Sequence, residues 1–122
     1  MKNFVKIHCP TLFMALLIFI LSSIPSLKPP NLGFSFEDKL AHFLEFGIFG
    51  FFLQRSFNYL FANRFKVYCL VFLIGSAYGA LDEIHQLFVS GREATVEDFI
   101  ADTIGVIVSQ ILFWTGERFN LF

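Results

Sequence analysis

At 122 residues the chain has room for one domain, and its composition is 56% hydrophobic and only 16% charged, with a mean hydropathy of +0.66. A soluble domain carries about 25% charge, and so short a chain has too little interior to hide this much apolar surface, its 19 phenylalanines included, so a membrane protein with lipid as its partner is expected. Nine Lys and Arg against ten Asp and Glu, with no basic cluster, argue against nucleic acid, and a disulfide scaffold, a coiled coil and a disordered tail are equally excluded. Cys9 and Cys69 show no metal-ligand spacing and read as small apolar fillers near helix ends. No motif calls for a cofactor.

A helix needs about 20 mainly apolar residues to cross the hydrocarbon core. The first run, Thr11 to Ile24, is short and is closed by Pro25, Pro29 and Pro30. Snorkelling of Lys6 and His8 lengthens it to a span of approximately 9–24. The positive start followed by Ser22 and Ser23 also suggests a signal peptide, but no A-x-A-like cleavage site follows, and an uncleaved anchor is favoured. Lys28 to Asp38 is a loop containing Pro and Gly. The second span covers 39–54, with an interfacial continuation to Phe61; the third covers 67–89 and the fourth 98–114. The tail Glu117–Phe122 is too short for a domain. The expected architecture is a single membrane domain over 1–122, all-α, a four-helix transmembrane bundle.

Four crossings place the N-terminus, the second connection and the C-terminus on one side. That side holds Lys2, Lys6, Arg55, Arg64, Lys66 and Arg118, against Lys28, Lys39 and Arg92 on the other. The positive-inside rule then makes both termini cytoplasmic. Of the acidic residues only Glu117 falls inside. Three distant stretches converge at the outer face: Asp38, Lys39, His42 and Glu45; Asp82, Glu83, His85 and Gln86; and Arg92, Asp98 and Asp102.

Ionised groups deep in a bilayer are costly, so these side chains are expected to face one another rather than lipid. Helical spacing agrees. Asp38, His42 and Glu45 share one face, as do Gly75, Gly79, Asp82 and Gln86, and again Asp98, Asp102, Gly105 and Ser109. The small residues allow helices to approach closely, and the polar residues above them line a cup. Plainer readings stand beside this one. His42 paired with Glu45 or Asp82 would only fix helix register. Asp98 would cap the fourth helix, and Arg92 would be a solvated loop residue. Gly91 suits a tight turn.

With Asp38-Lys39-Leu-Ala-His42-Phe43, Asp82-Glu83-Ile-His-Gln86-Leu-Phe88, Gly91-Arg92 and Asp98-x-x-x-Asp102-x-x-Gly105 in this order, the sequence resembles the VanZ-like family over roughly Phe36 to Leu112. These are small bacterial membrane proteins. The resemblance implies residence in the bacterial plasma (inner) membrane and a link to teicoplanin resistance, without implying a reaction. Asp102 stands where the family pattern usually has Asn, and Ser90 where Pro often precedes the Gly-Arg pair.

The function favoured is an accessory envelope factor for which no residue is assigned a catalytic role. Its outer cup of Asp38, Lys39, His42, Glu45, Asp82, Glu83, Gln86, Arg92, Asp98 and Asp102 would engage an envelope lipid or a glycopeptide through the Arg92 guanidinium. The alternative is a membrane-embedded metal- or acid/base-dependent enzyme acting on an envelope lipid, with His42, Asp82 and His85 as metal candidates. A small transporter is disfavoured, since the acids cluster near one face and the half nearer the termini reads as apolar. The small-residue stripes leave room for a homodimer.

Overall fold

The computed structural model describes residues 1–33 and 35–121. Phe34, within the expected loop Lys28–Asp38, and Phe122, the end of the expected tail, lie outside the described residues. Among the described residues all regular structure is helical: α1 (Lys2–Ser23), α2 (Glu37–Leu60), α3 (Arg64–Gln86) and α4 (Val96–Arg118). The all-α expectation holds, and each expected span falls on one helix, the second and fourth lying wholly within theirs. α1 begins at Lys2 and runs through Pro10. The continuation expected after Arg55 is the same unbroken α2. α3 stops at Gln86, short of the expected 89, and the chain then turns through Leu87–Arg92, with Gly91 at φ +73° as the tight turn requires.

α1, α3 and α4 are long and apolar enough to cross a membrane. α2 is long enough, at 24 residues or about 36 Å, but its average apolarity is lowered by Glu37, Asp38, Lys39, His42, Glu45, Gln54 and Arg55. Its polar groups are partly turned inward. His42, Gln54 and Ser56 are buried, while Leu44 and Ile48 are exposed.

α1 runs alongside α3, with the Tyr78 hydroxyl donating to the Ala15 carbonyl and Ser23 Oγ 2.9 Å from His85 Nε2. α2 returns against α1, where His8 Nδ1 and Ser56 Oγ share a hydrogen bond and Thr11 Oγ1 donates to the Phe52 carbonyl at 2.9 Å. The α1–α2 and α3–α4 connections therefore meet at one end, where Ser26 N–H donates to the Ser90 carbonyl. Ile18, Phe46, Phe49, Leu53, Val67, Val71 and Val106 form the buried core. Leu12, Phe13, Leu73, Leu81, Ile111 and Leu112 stand exposed on the outside, the surface a bilayer would cover. Cys9 and Cys69 are also exposed, so they do not fill the core.

Close helix contact depends on glycine. A Cβ added at Gly105 would lie 2.5 Å from the Phe43 carbonyl oxygen and 3.0 Å from Gly47 N, and one at Gly75 would lie 2.8 Å from Val106 Cγ2. Glycines thus seat α4 against both α2 and α3. The half of the bundle nearer the termini is not purely apolar, contrary to expectation. Gln110 Nε2 donates to Gln54 Oε1 at 3.0 Å and to the Tyr68 carbonyl at 2.8 Å, tying α4 to α2 and α3. Isolated glutamines within long apolar stretches give no sign of this pairing.

Candidate functional site

At the end where the two connections meet, α2, α3 and α4 present polar side chains to one another. The polar stripes fall inward as their spacing requires, with Asp82, Gln86, Asp98 and Asp102 all buried. His42 is the hub. Its Nδ1–H donates to Asp102 Oδ1 at 2.9 Å and lies 3.5 Å from Glu83 Oε1. On the other side of the ring, Nε2 is 3.8 Å from Asp98 Oδ2 and 4.0 Å from Asp38 Oδ1. The close partners of His42 are thus Asp102 and Glu83, rather than the Glu45 or Asp82 of a simple register pair. Asp82 stands nearby and accepts from Gln86 Nε2 at 3.3 Å.

The cluster has an upper and a lower part. In the upper part, Lys39 Nζ lies 2.9 Å from Asp98 Oδ1 and 3.5 Å from Asp38 Oδ2, a cation placed between two carboxylates. In the lower part, His42, Asp82, Glu83 and Asp102 each offer a donor atom, all within 4.8 Å of one another and all from buried residues. Asp102 is fully buried, and its Oδ2 has no hydrogen-bond partner; neither has Glu83 Oε1. Gly79 makes room for this carboxylate, since a Cβ there would stand 3.0 Å from Asp102 Cβ and 3.2 Å from its Oδ2.

Asp98 and Arg92 differ from their plain sequence readings, and His85 stands apart from the other metal candidates. Asp98 does not cap α4: Thr95 is the N-cap, its hydroxyl accepting from Asp98 N–H at 3.1 Å. The Thr95 N–H in turn donates to Glu83 Oε2 at 3.2 Å, so the start of α4 is fastened to α3. Arg92 is not a freely solvated loop residue. Its Nη1 donates to the Leu21 carbonyl at 3.0 Å and more weakly to Ile24, two carbonyls at the C-terminal end of α1. His85 turns toward α1, bonded to Ser23 and stacked on Phe19 with ring centroids 5.0 Å apart. It belongs to neither of the groups of close ligand atoms found among the described residues.

Above the cluster two clefts open side by side. One, of about 550 Å³, is lined by Lys28, Asn31, Glu37, Asp38, Lys39, Gln86, Arg92 and Glu93 among others. The other, of about 270 Å³, is walled by Leu21, Leu27, Pro29 and Pro30 and reaches His42 and Glu45. Lys28 belongs to none of the polar stripes that helical spacing picks out. Its position in the connection that faces the cup was the available signal. The mouth thus combines three cations with carboxylates, and an apolar wall adjoins it.

A family model described as VanZ/LLP1 matches residues 8–117. No curated protein and no solved structure matches the chain.

Proposed function

The chain belongs to the VanZ/LLP1 family, and from that premise we propose that it is an accessory cell-envelope factor of the bacterial plasma membrane whose polar cup takes an envelope lipid headgroup or an amphiphilic glycopeptide. In this reading all four helices cross the membrane, both termini are cytoplasmic and the cup opens outward. The supporting observation is the mouth itself. Lys28, Lys39 and Arg92 line one polar cleft, and the adjoining cleft carries an apolar wall of Leu21, Leu27, Pro29 and Pro30. Cations suit phosphate or carboxylate, and the wall suits an acyl chain.

The test is teicoplanin susceptibility in a sensitive Gram-positive host expressing the wild type, Asp82→Asn, Lys28→Gln or Arg92→Ala, with membrane levels matched. Raised resistance in the wild type that the variants lose supports the reading. Unchanged susceptibility with well-expressed wild type, or fully active variants, contradicts it. A membrane-embedded enzyme acting on an envelope lipid is the second reading, and it is favoured by a histidine set among four carboxylates.

A further inference from the structure

The lower part of the cluster has a charge problem that its own residues do not solve. Asp82, Glu83 and Asp102 are buried together with His42, the only side chain among the four that carries a positive charge when protonated. Lys39 is engaged above, between Asp98 and Asp38. The bonds of Arg92 go to α1 carbonyls. Like charges held this close in a medium of low polarity repel strongly, and burying an unpaired charge is costly.

Two carboxylate oxygens inside the group are also left without hydrogen-bond partners, Asp102 Oδ2 and Glu83 Oε1. Asp102 is 0% exposed, so water does not supply the missing bonds from bulk. Two of the carboxylates are held from outside the group, Glu83 Oε2 by the Thr95 N–H and Asp82 Oδ2 by Gln86, while Asp102 Oδ1 is bonded to His42 within it. Carboxylates fixed from behind at Glu83 and Asp82, with open oxygens on Glu83 and Asp102, are what a metal site requires of its surroundings.

We propose that His42, Asp82, Glu83 and Asp102 bind one divalent transition-metal ion, which ties α2, α3 and α4 together beneath the cup. A set of one imidazole and three carboxylates suits zinc, manganese or ferrous iron better than calcium or magnesium, whose sites are built from oxygen alone. Metal–ligand bonds of about 2.1 Å set tetrahedral donors about 3.4 Å apart. The donors present lie within 4.8 Å of one another, so the cage closes by about an ångström around the ion. The ion takes His42 Nδ1, the nitrogen now bonded to Asp102, and its proton is released. The upper group of Asp38, His42 and Asp98 is the poorer host, because Lys39 already provides its cation.

The experiment is titration of the purified, metal-stripped full chain in detergent with Mn²⁺, followed by the loss of the free-ion electron paramagnetic resonance signal, with Zn²⁺ as competitor. One saturable equivalent per chain is expected. Affinity should fall about tenfold or more in Glu83→Gln and in Asp102→Asn, with helix content by circular dichroism kept as in the wild type. Nitrogen hyperfine coupling from His42 to the bound Mn²⁺ is expected in the wild type, so a variant that misfolds does not decide the matter alone. No saturable binding by the wild type, or a bound ion without nitrogen coupling, overturns the site. So does binding that survives both variants but falls with Asp38→Asn. The readout involves no drug susceptibility, so a negative result here leaves the envelope reading standing.

Discussion

Thr95 and Asp98 begin α4 three residues apart, and their roles separate cleanly. The Thr95 hydroxyl takes the Asp98 N–H, while the Asp98 carboxylate is engaged by Lys39 and approached by His42. Loss of an N-cap costs about 1 kcal/mol. Thr95→Ala should therefore lower the unfolding midpoint in detergent and speed amide exchange in the first turn of α4. Asp98→Asn should leave that exchange unchanged; the opposite pattern would make Asp98 the cap after all. The distinction was legible in part. The run Thr-x-x-Asp is a capping-box pattern that marks Thr95 as the cap. The partner of Glu83 was not legible, because a bond from a backbone N–H on α4 to a side chain on α3 leaves no trace in residue spacing.

At the scale of helices, α2 departs furthest from a lipid-soluble rod and packs chiefly against α4. Gly105 meets the α2 backbone, which cannot yield, whereas a Cβ at Gly47 meets only the Gly105 carbonyl at an ordinary 3.6 Å. Gly105→Ala should cost on the order of 1–3 kcal/mol, the usual penalty of overpacking, while Gly47→Ala should stay close to the wild type. Thermal unfolding of the two variants in detergent checks this, and equal losses would contradict the seating of α4. The faces of the helices were readable because period 3.6 and the cost of buried charge leave few choices. The glutamine link between α2 and α4 was not, because an uncharged pair within an apolar stretch disturbs neither periodicity nor charge.

For the whole molecule, the order of elements, the all-α architecture and the meeting of three acidic stretches at one end were all present in the sequence. They follow from apolar run length, helical spacing and antiparallel return. The loop from Leu27 to Asn31 was harder to place. Proline and glycine mark it as a connection, but only the packing shows it forming one wall of the clefts. The account as a whole rests on α2 crossing the membrane so that the cup faces outward. In a Cys9→Ser/Cys69→Ser background, Asn31→Cys and Ala62→Cys place a thiol in each of the connections that flank α2. The most direct measurement is labelling of intact cells with a membrane-impermeant maleimide. The account predicts that Asn31→Cys is labelled at once and Ala62→Cys only after permeabilisation. Equal access at both positions would contradict the crossing of α2, and the reverse pattern would contradict the outward cup.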